Sequence, residues 1–191
     1  MSALYKSGIP GLFGGIILSV GFASYVFAMY ETTVANANFI IQTQALFLAI
    51  FGYVFLKEKI SKITLTCIIT AVVGIILMLG SSLTPGQMTG NLVSVIMPIS
   101  FAILILIVRK YPKVDMIPLQ LVAGIFATLI GLFMSPSIIV STNDIFLGFI
   151  AGFFQVGLGF ILITIGARST PSAFVGILSL IHISEPTRLP G

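Results

Sequence analysis

The chain has 191 residues, of which 58% are apolar and 7% are charged, and its formal net charge is +4. A soluble domain of this length needs a polar surface that so few charged residues cannot supply, so the composition excludes a soluble enzyme or binding domain. The basic residues lie in short connections between apolar runs, which excludes a continuous basic face for nucleic acid.

The apolar runs predict transmembrane helices. A helix needs about 20 apolar residues to cross a hydrocarbon core of about 30 Å. The runs lack the residue-by-residue alternation of membrane barrel strands, so the predicted class is an all-α, polytopic helix bundle. Six complete spans are predicted, followed by the start of a seventh at Pro171: Pro10–Tyr30, Val34–Leu56, Ile63–Gly80, Gly90–Val108, Ile117–Met134 and Ile145–Ile165.

The charges predict the orientation of these spans. Lysine and arginine occupy every second connection, and such short basic loops stay on the cytoplasmic side. Lys6, Lys57–Lys62, Arg109–Lys113 and Arg168 are therefore predicted to be cytoplasmic, with the connections that hold Glu31 and Asp144 on the other side. We expect a multi-pass protein of a bacterial or archaeal plasma membrane. Its predicted partners are the lipid bilayer, a small solute and, within the membrane, a second copy of the chain.

The end of the chain is interpreted as a translated sequencing adapter. Leu178–Arg188 corresponds codon by codon to a transposase adapter, whereas the alternative is a natural polar C-terminus. The junction falls within residues 177–182, and residues 178–191 are expected not to be native. The only histidine, His182, lies in this tail. A span that begins at Pro171 would then be cut after about ten residues, which is too short to cross a bilayer. We therefore expect the chain to be a fragment of a longer membrane protein.

Polar side chains inside the spans are the candidates for a binding site. Such groups are costly in lipid and usually face a cavity or another helix. Asn38 and Gln42 are four residues apart, so they lie about 40° apart on one helix face. We predict that both bind substrate, with Gln155 and Ser100 as further candidates. The alternative is that these groups only join helices by hydrogen bonds.

Glycine and proline predict features of helix packing. Gly148, Gly152 and Gly159 fall on the same face as Gln155 if the helix is regular, and the absence of side chains would let another helix approach there. Pro98 lies in mid-span and predicts a kink, because proline removes a backbone hydrogen bond. The sequence has no phosphate-binding glycine loop and no zinc motif. We therefore expect no cofactor, no metal and no enzymatic activity.

Four motifs carry a resemblance to a known family. They are Ala28–Asn38 (AMYETTVANAN), Phe51–Ser61 (FGYVFLKEKIS), Val73–Ile75 and Ile165–Ala173 (IGARSTPSA). By the order and spacing of these motifs, the chain resembles the EamA-type family of the drug/metabolite transporter superfamily. The resemblance implies ten helices in two inverted repeats of five. Residues 1–80 then hold the C-terminal part of the first repeat, and residues 81–177 hold the N-terminal part of the second.

The resemblance also implies a function. A protein of this family is expected to be a secondary transporter that moves a small organic metabolite or a drug-like solute by alternating access. The alternative from another class is a polytopic scaffold or accessory subunit that does not transport. Convergence of Asn38, Gln42 and Gln155 on one cavity would favour the transporter.

Overall fold

The regular structure of the described chain is helical. The computed structural model describes residues 2–63, 65–66, 68–70, 72–73, 87–135 and 139–181. The first helix, α1, bends at Gly8, which has the left-handed φ of 57° that glycine adopts without steric cost. The helices are α1 (Ser2–Glu31), α2 (Val34–Gln42), α3 (Gln44–Leu56), α4 (Met88–Ser94), α5 (Ile96–Lys110), α6 (Pro118–Met134), α7 (Thr142–Ile150), α8 (Gly159–Ala167) and α9 (Ser172–Ile181), and a π-helical segment (Ala151–Leu158) joins α7 to α8.

Four stretches of helix are long and apolar enough to cross a membrane: Ser7–Glu31, Val34–Leu56, Met88–Lys110 and Thr142–Ala167. They agree with four of the predicted spans to within a few residues. The fifth predicted span is the shorter helix α6, of 17 residues. Of the predicted span Ile63–Gly80, residues 63, 65–66, 68–70 and 72–73 are described and helical. The rest of this span lies outside the described residues, as do Cys67 and His182. The described chain is thus an all-helical, multi-pass membrane protein.

Consecutive long helices run in opposite directions and place their connections at two ends. Helices α3, α5 and α8 finish at the same end, called the Arg109 end, where Arg109 contacts Glu58 and the loop after α8. Helix α1 finishes at the opposite Thr32 end, where α2 and α4 begin and Thr32 contacts Asn91. The described loop lysines and Arg168 therefore lie at the Arg109 end, in agreement with the charge alternation of the sequence.

Helix α5 lies at the centre of the packed core. It contacts α1 and α3, and α1 also packs along α6. Leu104, Ile105 and Val108 of α5 are fully buried. The Phe160 ring of α8 lies edge-on to Phe22 and to Phe101, with ring centroids 5.1 and 5.9 Å apart. These aromatic contacts hold the first turn of α8 against α1 and α5. Helix α7, in contrast, has no buried residue.

Candidate functional site

The helices at the centre of the candidate site are interrupted within their spans. Regular α-helical hydrogen bonding is interrupted at Thr43, between α2 and α3, although the backbone there keeps helical dihedral angles (φ −61°, ψ −10°). The Thr43 amide and hydroxyl both donate to the Ile40 carbonyl, at 3.0 and 2.6 Å. A second break occurs at Val95, between α4 and α5, three residues before the buried Pro98. Proline has no N–H and its ring clashes with the carbonyl four residues earlier, here that of Ser94. The predicted kink and this break thus have one physical origin.

Asn38 contacts an aromatic hydroxyl on a neighbouring helix. The Tyr25 hydroxyl of α1 donates to Asn38 Oδ1 across 3.1 Å. The Asn38 amide nitrogen has no partner among the described residues, and Gln42, one turn further along α2, makes no described hydrogen bond. Both side chains are partly buried. Unpaired amides at this depth are costly in lipid, so they suit a place where a polar solute or water can reach them.

Ser100 reaches the same helix from another direction. It is 3% exposed, and its Cβ lies 2.8 Å from where a side chain at Gly21 would begin. Gly21 and Tyr25 are one turn apart on α1 and share a face. This face of α1 therefore receives Ser100 from α5 and Asn38 from α2. Gln42 follows Asn38 one turn further along α2.

Gln155 does not lie with them. It is exposed in the π-helical segment and makes no hydrogen bond with any described residue. The prediction that placed Gln155 on one stripe with three glycines assumed a regular α-helix. A π-helix closes its hydrogen bonds over five residues instead of four, so the angular step changes and the stripe does not continue.

The predicted close helix contact at Gly148, Gly152 and Gly159 is likewise not seen among the described residues. A Cβ built at Gly148, Gly152 or Gly159 would meet no described atom within 4 Å. The described groove, of about 450 Å³, runs instead along α6, is open and mostly apolar, and contains none of the predicted binding residues.

The closest helix contacts use glycines of α1 that the sequence analysis did not single out. A Cβ at Gly15 would lie 2.7 Å from the Val122 side chain and 2.9 Å from the Leu119 carbonyl oxygen of α6. The signal was present, because Ser7, Gly11 and Gly15 repeat a small residue every four positions. That spacing is typical of membrane helices whose backbones approach closely.

A buried polar network at the Thr32 end was also missed. The Thr32 hydroxyl donates to Asn91 Oδ1 at 2.6 Å, and Asn36 Nδ2 donates to Thr32 Oγ1 at 3.4 Å. Gly90 lets the start of α4 approach the turn, since a Cβ there would lie 2.7 Å from the Glu31 carbonyl carbon. Only a polar turn and a distant asparagine signal this contact in the sequence, and nothing in the sequence pairs them.

No cluster of three histidine, cysteine or acidic residues that could hold a metal ion occurs within the described ranges. The side chains of Asn38, Gln42, Tyr25 and Ser100 carry amides and hydroxyls, which recognise polar groups by donating and accepting hydrogen bonds.

The fold and the sequence were compared with known proteins. A crystal structure of another protein has a similar fold, with a TM-score of 0.64 and 16% sequence identity over 93% of this chain and 77% of that chain. No curated protein matches the chain significantly. Residues 4–80 match the model of the EamA-like transporter family. This match contains three of the motifs on which the resemblance rests. The resemblance is thus confirmed over residues 4–80, the segment that is similar to the EamA-like transporter family.

Proposed function

We propose that the chain is part of a secondary transporter that moves a small organic metabolite or drug-like solute by alternating access. The family match supports membrane transport in general. The observation that carries the more specific proposal is the interrupted helical hydrogen bonding between α2 and α3, next to the Gln42 amide and one turn beyond the Asn38 amide that contacts Tyr25. Broken helices near mid-membrane are where secondary transporters bind their solutes.

In this proposal, each residue of the site supplies different hydrogen-bond donors or acceptors to the solute. The Tyr25 proton is committed to Asn38 Oδ1, which leaves the Asn38 amide nitrogen as a donor towards solute. Gln42 supplies both a donor and an acceptor, and Ser100 lines the α5 side. Because these groups are amides and hydroxyls, the site suits a polar group that binds through hydrogen bonds. We keep Gln155 as a fourth binding residue, brought to the solute by movement of α7 and the π-helical segment.

The two halves of the chain supply the moving parts in this proposal. Residues 1–80 and 81–177 would belong to the two inverted repeats, which rock about the site so that it opens to one side of the membrane at a time. Gradients of solute or ions would drive the cycle.

A solute screen on the full-length protein tests the proposal. The protein is reconstituted into vesicles, and uptake of a panel of labelled small organic solutes is measured. We expect Asn38→Leu and Gln42→Leu each to lower uptake of the identified solute about tenfold or more, because the lost hydrogen bonds are made in a site of low dielectric. Thr128→Val is the matched control, since its exposed hydroxyl bonds only to Gly124 O of its own helix.

The outcomes separate the two function classes. Accumulation of a solute with loss in the Asn38 and Gln42 variants supports transport through this site. Accumulation that both variants leave unchanged removes these residues from it. Failure of every solute class to accumulate favours the scaffold or accessory subunit. For the remaining candidate, Gln155→Leu is expected to lower uptake more than Ser137→Ala, and equal uptake would exclude Gln155.

A further inference from the structure

At the Arg109 end, a largely buried ion pair joins the end of α5 to the loop after α3. Arg109 Nε lies 2.5 Å from Glu58 Oε1, and the two side chains are 18% and 16% exposed. Arg109 Nη1 also donates to the Thr170 carbonyl and, at 3.4 Å, to the Ala167 carbonyl. One guanidinium at the end of α5 therefore holds the loop after α3 and the loop after α8 together. Arginine is suited to this role because its donors are arranged in a rigid, planar fork.

The same carboxylate also caps a helix. The Ser172 amide donates to Glu58 Oε2 at 3.0 Å, and the Ser172 hydroxyl lies 3.4 Å from Glu58 Oε1. Ser172 is the first residue of α9 and is 1% exposed. Its amide is one of the donors that the first turn of a helix leaves without an internal partner, and a negative charge is favoured there by the helix dipole. Glu58 thus connects α3 to both α5 and α9.

The backbone after α3 fixes the position of this carboxylate. Lys57 is the one non-glycine residue with positive φ among the described residues, at 55°. The amides of Lys57 and Glu58 both donate to the Gly52 carbonyl. Gly52 leaves the necessary space, since a Cβ there would lie 2.8 Å from Glu58 Oε2 and 3.1 Å from Ser172 Cβ. The chain therefore folds back tightly and directs Glu58 towards α9.

We propose that Glu58, Arg109 and Ser172 form a lock that closes the Arg109 end of the protein and must open before solute can pass on that side. The proposal rests on the proposed function, in which residues 1–80 and 81–177 move against each other. Glu58 belongs to the first of these parts, and Arg109 and Ser172 belong to the second. Any rocking that opens this end separates the carboxylate from both partners at once.

A second ion pair at the same end provides an internal comparison. Arg168 Nη2 lies 2.8 Å from Asp115 Oδ1, and these side chains are 29% and 49% exposed. Both residues lie within 81–177, so rocking of the two parts does not separate them. Because the pair is also better solvated, its contribution to closure is small.

Accessibility of a buried cysteine behind the lock tests the proposal. Val175 lies one turn into α9 and is 8% exposed. Val175→Cys is placed in a cysteine-free form of the full-length protein, and its reaction with a membrane-impermeant maleimide is followed from the predicted cytoplasmic side. We expect Glu58→Gln to raise the labelling rate about tenfold, because the neutral amide loses the charge-assisted bonds to Arg109 and the α9 amide. Asp115→Asn should leave the rate close to that of the parent.

A second reporter separates opening of the lock from general unfolding. Ala37→Cys lies in α2 near the Thr32 end, at a position that is fully buried. Opening of the lock raises labelling at Val175→Cys and leaves Ala37→Cys slow. Equal rises at both positions, no rise at Val175→Cys, or the same rise with Asp115→Asn would each overturn the lock.

The solute assay distinguishes failure of the lock from failure of the function. Faster labelling in Glu58→Gln, in a protein that accumulates no solute, supports an opening end and refutes transport. Unchanged labelling, in a protein that transports normally, refutes the lock and leaves the proposed function in place.

Discussion

Substitution of Gly15 by alanine tests the close approach of α1 and α6. The added Cβ would lie 2.7 Å from two carbons of Val122 and 2.9 Å from the Leu119 carbonyl oxygen. Ordinary contact begins at 3.4 Å, so the helices must separate by about 0.7 Å or distort, with loss of dispersion contacts along their seam. Since one obstacle is backbone, a change of rotamer cannot remove it. Overpacking of this kind costs about 1–3 kcal/mol.

Gly148→Ala is the matched control for this prediction. Gly148 also lies within a helix, so the gain in helix propensity of about 1 kcal/mol is common to both variants. A Cβ there meets no described atom within 4 Å. We expect Gly15→Ala to have an unfolding free energy about 1–3 kcal/mol below that of Gly148→Ala, measured by SDS titration in mixed micelles and circular dichroism. Equal stability of the two variants would refute the packing argument.

Two polar contacts give further predictions that the same titration checks. Thr32→Val leaves the buried Asn91 oxygen without its donor, and we expect the unfolding free energy to fall by about 1–3 kcal/mol. Gln120→Leu removes the 2.9 Å bond to the fully buried Thr164 hydroxyl, and we expect a smaller loss of about 0.6–2 kcal/mol. The control for both is Thr128→Val, which should change stability by less than about 0.5 kcal/mol. A variant as stable as this control would contradict the contact that it was designed to remove.

The spans themselves could be predicted because bilayer thickness sets their length. The predicted Val34–Leu56 coincides with the helical stretch of the structure, and Gly90–Val108 differs from Met88–Lys110 by two residues at each end. The gathering of the basic loops at one end also followed from charge, since lysine and arginine occupy every second connection, and the cytoplasmic location of that end stays a prediction. The positions of the spans and the grouping of the loops both depend only on local composition, which can be read from the sequence.

The interruptions of the helices could be predicted only in part. Pro98 signals the break at Val95 because its backbone chemistry is local. The break at Thr43 has no proline or glycine beside it, and the π-helical segment has no sequence signature. The position of Gln155 was therefore derived from a helix that is not regular, and its proposed role remains a prediction.

Contacts between distant residues were beyond the reach of the sequence. Glu58 has a lysine on each side, and the sequence alone does not show which basic residue it pairs with. The structure pairs it with Arg109, 51 residues away. That choice depends on how α3, α5 and α9 pack, and on the left-handed turn at Lys57. The Thr32–Asn91 contact spans 59 residues and depends on packing in the same way.

The break at Thr43 has a mechanical consequence. At 1.5 Å per residue, the nine residues of α2 and the thirteen of α3 form two rods about 14 and 20 Å long, each shorter than the hydrocarbon layer. A helix that is shorter than the hydrocarbon layer can tilt while the helix that follows it in the chain keeps its position. In the proposed alternating-access cycle, we therefore expect α2 and α3 to move as half-spans that bend at Thr43, in the interior of the membrane and not at its surfaces.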